Sequence, residues 1–207
     1  MPRIQTPQAE MLAHLSQADP VLNGMLVEEG PPPIASTGSV FHDLVGCVIE
    51  QQIHYRSTKR IFLRRVERAG LEVLTPENFE VFERDGLKDL KISARKFETL
   101  NRVVAFFQAN EVDWAALSDA EVRKVFGEMK GIGPWTVDML LLYTLGRADI
   151  FPADDFRLKQ GMKHFYELEE KGLKREMKRI AEGWAPYRSW GTLAILKGWA
   201  ERKGIGS

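Results

Sequence analysis

Apolar residues recur along most of the chain with the period of a helix. From Val40 onward they return at three- and four-residue intervals, at Phe41, Leu44, Val45 and Val48, which places them on one helical face. No segment alternates apolar and polar residues at every second position over the length of a strand. The pattern predicts an all-α protein of about ten helices.

Capping residues and helix stops set the predicted bounds. Asp19-Pro20 and Thr75-Pro76-Glu77 each place a capping side chain before a first-turn proline, and Ser118 with Glu121 forms a capping box. The run Gly30-Pro31-Pro32-Pro33 ends a helix and is expected to connect two lobes. The main predicted helices span 8–17, 40–50, 55–69, 76–84, 93–107, 135–145, 156–166 and 172–184, with a last one opening at Pro186.

Charge and composition narrow the function classes. Lys+Arg and Asp+Glu both total 29, so the net charge argues against nucleic-acid binding by bulk charge alone. No apolar run reaches the length of a membrane span, and the N-terminus lacks the apolar core of a signal peptide. The single cysteine, Cys47, can form neither an internal disulfide nor a four-cysteine zinc or iron–sulfur site.

Two glycines, Gly131 and Gly133, lie between two predicted helices. Glycine permits positive φ and a close approach of the backbone, so the N–H groups from Gly133 to Thr136 can face a phosphate at a helix start. Ile132 is expected to fill the gap between the helices, and the Thr136 hydroxyl can add a phosphate contact. An ordinary corner of a helical bundle explains the Gly-x-Gly pattern equally well.

Two acids, Asp154 and Asp155, follow the hairpin after one helix and a loop. Either side chain can cap the helix that starts there. On spacing alone, a cap is the favoured interpretation of the pair.

The segments 131–136 and 149–155 together resemble the helix–hairpin–helix DNA glycosylase superfamily, and within it the 3-methyladenine DNA glycosylase II branch. The resemblance implies a two-lobed, all-α fold with the active site in the cleft between the lobes. A six-helix lobe, 37–145, would hold a DNA wedge and the hairpin, and 1–36 plus 146–207 would form the lobe carrying the catalytic aspartate. Further matches occur in family order at Gln51-Gln52-Ile53, 91–96 and 184–189.

The resemblance also implies the chemistry. Asp155 matches the essential aspartate, with Asp154 as a cap or neighbour, and its carboxylate would stabilise oxocarbenium character on the sugar and orient water. Bifunctional members carry a lysine where this chain has Trp135, and that lysine would form a Schiff base. Lys130 and Lys159 do not match that position. The expected enzyme is monofunctional and leaves an abasic site.

A flipped, cationic base needs an aromatic pocket. Trp135, Met139, Phe156 and Tyr187 are predicted to line it, with core packing as the alternative for each. Such a pocket suits 3-methyladenine or 7-methylguanine, whose positive charge makes them good leaving groups. A glycosylase for uracil or hypoxanthine, and a non-catalytic helix–hairpin–helix DNA-binding module, are the alternatives.

The resemblance extends to DNA contacts outside the pocket. Gln52 would fill the gap left by the flipped base, and His54 would reach the minor groove or a phosphate. Ser93 and Lys96 are candidate phosphate contacts, although a solvated helix end or a charged surface explains these residues too. Arg188 with Ser189 is expected to orient the catalytic helix.

Cofactor and partner expectations follow from the same resemblance. The main-chain carbonyls of Met129 and Ile132 are candidate ligands for a structural Na⁺ or K⁺ at the hairpin, and no other cofactor is expected. The partner is double-stranded DNA containing alkylated bases, without a membrane, and the protein is expected to be a monomer. The expected location is the bacterial nucleoid in the cytoplasm, or the nucleus of a eukaryote.

Overall fold

The computed structural model describes residues 8–26, 37–51 and 58–204. These residues form helices and no strand, which confirms the all-α prediction. None of the described helices combines the length and apolar character needed to cross a membrane. The helices are α1 Gln8–Ala18, α2 Pro20–Leu26, α3 Val40–Glu50, α4 Thr58–Arg68, α5 Phe79–Val81, α6 Ala94–Ala109, α7 Asp119–Gly127, α8 Pro134–Met139, α9 Phe156–Phe165, α10 Leu173–Glu182 and α11 Arg188–Arg202; π-helical turns at Phe82–Gly86 and Leu140–Thr144 continue α5 and α8.

The chain divides into two compact units. One unit falls within Ala35–Leu140, and the other combines the segment before it with Leu141–Ser207. The boundary between the units on the C-terminal side therefore falls after Leu140, where α8 passes into its π-helical turn. The sequence had placed this boundary later, at residue 145. The predicted connector at 30–33 lies outside the described residues.

Helix α3 is the central element of the first unit. It packs against α4, α6 and α8, and its apolar face is fully buried, including Leu44, Val45 and Val48. Ser39 caps its start by accepting a hydrogen bond from the His42 N–H. Burial of each such aliphatic side chain contributes about 1.5–3 kcal/mol, so the packing holds α3 firmly and fixes where its last residues point.

A buried carboxylate joins the helices of the second unit. Asp19 is 5% exposed, and one of its oxygens accepts from the N–H groups of Val21 and Leu22 at the start of α2. Its other oxygen accepts from the Tyr166 hydroxyl and the Trp184 indole, both at 2.8 Å. The predicted helix start at Asp19-Pro20 is therefore confirmed.

Two predicted helix starts are wrong because local turns replace them. Thr75 and Asn78 exchange side-chain to main-chain hydrogen bonds, a turn that competes with helix, so α5 begins only at Phe79. The last helix begins at Arg188 and not at Pro186. The Tyr187 N–H donates to the Trp184 carbonyl at 2.8 Å and closes a turn that contains Pro186.

Candidate functional site

The hairpin is a tight turn between α7 and α8 that depends on one glycine. Gly131 has φ +100°, and a Cβ there would lie 2.0 Å from the Thr99 hydroxyl oxygen, so no other residue fits. Ile132 is 7% exposed, and this burial fits the prediction that it fills the gap between the two helices. Gly133 differs, because its backbone is extended and a Cβ would meet no described atom within 4 Å. The fold therefore does not require a glycine at position 133, and the open space beside it would let a ligand approach the backbone.

Gln51 ties the end of α3 to this hairpin. Its side-chain amide donates to the Gly131 carbonyl at 3.3 Å and to the Thr136 hydroxyl at 3.1 Å. Thr136 is 1% exposed. A buried hydroxyl that is already engaged is poorly placed for a phosphate, and a DNA contact from Thr136 remains a prediction.

The Lys96 side chain reaches the other side of the same helix end. Its ammonium donates to the carbonyls of Ile49, at 2.9 Å, and of Gln51, and burial lowers the pKa of Lys96. Ser93 caps α6 by accepting from the Lys96 N–H. The phosphate contacts of Ser93 and Lys96 remain predictions, and Gln52 and His54 lie outside the described residues.

The two acids have separate structural roles. Asp155 caps α9, with one carboxylate oxygen accepting from the Leu158 N–H at 2.8 Å, and is 4% exposed. Asp154 is exposed and forms ion pairs with Lys174 at 2.7 Å and Lys159 at 3.5 Å. The cap is therefore Asp155 and not Asp154, because only the Asp155 oxygen reaches an N–H of the first turn.

The loop that leads to Asp155 is held by the start of α11. The Arg188 guanidinium donates to both carboxylate oxygens of Asp149, at 2.7 and 2.6 Å, and holds the pKa of Asp149 below its usual range. The Ser189 hydroxyl accepts from the Ile150 N–H and donates to the Arg147 carbonyl. These contacts fit the expectation that Arg188 and Ser189 orient the segment that enters α9.

The four predicted pocket residues differ in exposure. Phe156, the first residue of α9, is 59% exposed, and Trp135 in the first turn of α8 is half-buried. Met139 and Tyr187 are buried, and the Tyr187 hydroxyl donates to Glu10 at 3.1 Å. Their roles toward a base remain predictions, although the burial of Met139 and Tyr187 also gives both a packing role.

Tyr143 is a candidate functional residue that the sequence pattern did not indicate. Burial raises the pKa of its phenol, and the negative charge of Asp155 adds to that effect while Arg157 opposes it. A protonated phenol thus lies within the electrostatic reach of Asp155. The available signal was one polar side chain after three consecutive leucines, 140–142.

A monovalent cation at the hairpin would need main-chain ligands. Within the described part of the chain, no cluster of three or more His, Cys, Asp or Glu residues can hold a metal ion. The Met129 carbonyl accepts the Ile132 N–H at 3.0 Å, and a carbonyl oxygen keeps a second lone pair. Carbonyl ligation by Met129 and Ile132 is compatible with this turn and remains a prediction.

Comparison with known proteins places this arrangement in a family. A model of the HhH-GPD superfamily of base excision DNA repair proteins matches residues 45–186. The chain belongs to that superfamily. The resemblance of the hairpin and its following acids to helix–hairpin–helix DNA glycosylases is thereby confirmed.

The matches to individual HhH-GPD relatives span most of the chain. YfjP of Bacillus subtilis is 28% identical over 196 residues, which are 90% of this chain and 68% of YfjP. DNA-3-methyladenine glycosylase 1 of Schizosaccharomyces pombe is 28% identical over 155 residues, 72% of this chain and 68% of the relative. A solved structure of the S. pombe 3-methyladenine DNA glycosylase in complex with abasic DNA matches with a TM-score of 0.77 at 26% identity, covering 94% of this chain and 97% of that one.

Proposed function

We propose that this chain is a monofunctional DNA glycosylase that removes alkylated bases, such as 3-methyladenine and 7-methylguanine, and leaves an abasic site. Superfamily membership supports this proposal, as do relatives named for DNA-3-methyladenine glycosylase activity. The observation that carries it is Asp155, a buried carboxylate fixed as the cap of α9, which the resemblance assigns as the essential aspartate.

The proposed reaction needs one carboxylate and one water. An alkylated base carries a positive charge, so it leaves with the electron pair of the glycosidic bond and becomes neutral. The sugar gains oxocarbenium character, which the Asp155 carboxylate stabilises. Water then attacks C1′, and its proton passes to the carboxylate or to solvent.

The structure around Asp155 suits this role. The hydrogen bond from the Leu158 N–H fixes one oxygen at 2.8 Å, so the carboxylate is ordered before the reaction begins. At 4% exposure it is largely shielded from water, which strengthens its interaction with a developing positive charge. Fixed placement and shielding are the two properties that electrostatic catalysis requires.

Absence of strand cleavage is part of the proposal. The resemblance matches Trp135 to the position of the nucleophilic lysine of bifunctional members, and an indole cannot form a Schiff base. The product would be an intact strand with an abasic site. We propose that the protein acts on double-stranded DNA as a monomer.

The test measures base release from duplexes that contain 3-methyladenine, 7-methylguanine, hypoxanthine or uracil. We expect the native protein to release the alkylated bases and Asp155→Asn to lower the rate by about 100-fold or more. Asparagine is also a good helix cap, so this variant loses the charge and keeps the fold. Asp154→Asn is the matched control, because it removes the neighbouring exposed carboxylate and should stay within about threefold of native activity.

Other outcomes separate the alternatives. Binding of DNA without release of any base would indicate a non-catalytic module. Release of hypoxanthine or uracil alone would indicate another lesion class. A strand break that borohydride traps on the protein would contradict the monofunctional mechanism.

A further inference from the structure

Helix α4 concentrates positive charge in a chain whose total charge is balanced. Five of its eleven residues are Lys or Arg and one is acidic, whereas Lys+Arg and Asp+Glu are equal in number over the whole chain. Arg68 follows Arg64 by four positions and Arg65 by three, so the three side chains share one side of the helix. This side is termed the α4 arginine face.

The opposite side of α4 is anchored in the core of the first unit. Phe62 is 4% exposed and Val66 is 3% exposed, and α4 packs against both α3 and the π-helical turn Phe82–Gly86. The backbone of that turn comes so close that a Cβ at Gly86 would lie 2.8 Å from the Arg65 carbonyl oxygen. Packing therefore fixes where α4 presents its arginines.

The α4 arginine face lines a surface cavity of about 310 Å³, whose lining consists of Ile61 and the three arginines. Pockets for small molecules are mostly apolar and contain only a few polar groups. A lining in which cations predominate fits an anion instead. A guanidinium matches the oxygens of a phosphate group with two parallel hydrogen bonds, so phosphate is the ligand that this chemistry favours.

Neighbouring groups orient these arginines and neutralise only part of their charge. Arg65 and Arg68 both donate to the Lys88 carbonyl, at 3.0 and 3.4 Å. Arg68 also pairs with Asp89 at 3.2 Å, and the Asp89 side chain is 72% exposed. Within the described part of the chain, no carboxylate pairs with Arg64 or Arg65. The face therefore keeps positive charge that an external anion can use.

We propose that the α4 arginine face binds backbone phosphates of double-stranded DNA, in addition to the hairpin. The proposal rests on the proposed function in taking DNA as the partner, and membership of a DNA repair superfamily supports that choice. Helices α4 and α8 both pack against α3, so the face and the hairpin belong to one unit. Phosphate contacts carry no sequence information. They raise the affinity for undamaged DNA as well, which a protein that searches for rare lesions requires.

The test measures binding of an undamaged duplex by a double variant, Arg64→Gln with Arg65→Gln, over a range of salt concentrations. Binding at low salt should weaken about five- to tenfold, and the logarithmic salt slope should become shallower by about 1–2. Release of an alkylated base at limiting protein should fall in step with affinity. Raising the protein concentration should restore most of that release, because the lost contacts act on binding and not on the reaction.

Matched variants separate this face from charge in general. Arg64→Lys with Arg65→Lys keeps both charges and should keep the native salt slope. Arg175→Gln with Lys178→Gln removes two exposed cations of α10 in the other unit and should bind the duplex as the native protein does. Thermal unfolding of each variant shows that the protein is folded. Competition by polyglutamate against the labelled duplex tests for an acidic protein as the partner.

Native affinity and salt slope in the Arg64→Gln, Arg65→Gln variant would overturn the proposal. Equal losses in the α10 variant would overturn it too, because only total charge would then matter. Competition by polyglutamate as strong as that by DNA of equal charge would point to an acidic protein and overturn the assignment to DNA. If the native protein releases no base while duplex binding still depends on Arg64 and Arg65, the proposed function fails and the α4 contact stands.

Discussion

Asp155 shows what spacing in a sequence can and cannot resolve. Adjacent acids before a helix both satisfy a capping pattern, and the choice between them depends on which oxygen reaches the first-turn N–H of Leu158. The resemblance made Asp155 the functional candidate and left Asp154 as a cap or a neighbour, whereas in the structure Asp155 is the cap. Gln51 and Lys96 were harder to interpret, because their partners lie far away in sequence and appear only once α3, α6 and the hairpin are packed.

The two hairpin glycines should respond differently to the same substitution. Gly131→Ala forces a Cβ to 2.0 Å from the Thr99 hydroxyl oxygen at φ +100°, and should lower the free energy of unfolding by about 1–3 kcal/mol. Gly133→Ala meets no described atom and should cost less than about 1 kcal/mol, mainly from the poorer cap.

Urea unfolding and DNA binding measured on both variants check this prediction. Gly133→Ala should weaken DNA binding out of proportion to its stability cost, because its methyl group occupies the space expected for phosphate. Equal effects of the two substitutions on stability would contradict the geometry. Unchanged DNA binding in Gly133→Ala would show that the backbone at Gly133 does not contact DNA.

At the scale of elements, long periodic helices were predictable and short ones were not. The face of α3 and the capping box of α7 are local features, so the sequence predicted them correctly. Helix α5 starts late because Thr75 and Asn78 form a competing turn. The loop before α9 has no period of its own, and long-range contacts with the start of α11 help to define it.

The Arg188–Asp149 pair should stabilise the loop before α9 by a modest, measurable amount. Arg188 lowers the pKa of Asp149, so the folded state binds that proton less readily than the unfolded state. The contribution is therefore present above the unfolded pKa of about 3.9 and is lost as pH falls through the folded-state value. With Arg188 37% exposed and Asp149 30% exposed, solvent screening should limit the coupling to about 0.5–1 kcal/mol near neutral pH.

A double-mutant cycle on urea unfolding measures that coupling. Arg188→Met, Asp149→Asn and the double variant are compared at pH 7 and at the lowest pH where the native protein stays folded. The coupling should shrink at the lower pH. A coupling of zero at pH 7 would show that the pair does not stabilise the loop.

At the scale of the whole molecule, the balance of charge constrains how DNA is held. Lys+Arg equal Asp+Glu in number, so the net charge provides no overall attraction to DNA, and we expect binding to depend on local groups and main-chain donors. The N-terminal division between the units has a signal in the proline run at 31–33. The boundary at Leu140 has no such signal in the sequence, because the helical segment crosses it without a proline or glycine.

The salt dependence of DNA binding should therefore be shallow. A logarithmic plot of affinity against salt concentration should have a slope of about −2 to −4, the value for a few neutralised phosphates. Titrations of an undamaged duplex between low and moderate salt measure it. A slope near −8 would indicate a broad cationic surface instead.

The cap at the start of α9 has a genetic consequence. Asparagine serves as well as aspartate in accepting from the Leu158 N–H, so the chemistry proposed for Asp155 could be lost without loss of the folded protein. A single G-to-A transition turns an aspartate codon into an asparagine codon. The resulting product would persist in the cell, occupy damaged sites without clearing them, and exclude other repair proteins. Such an allele should sensitise cells to alkylating agents more than deletion of the gene does.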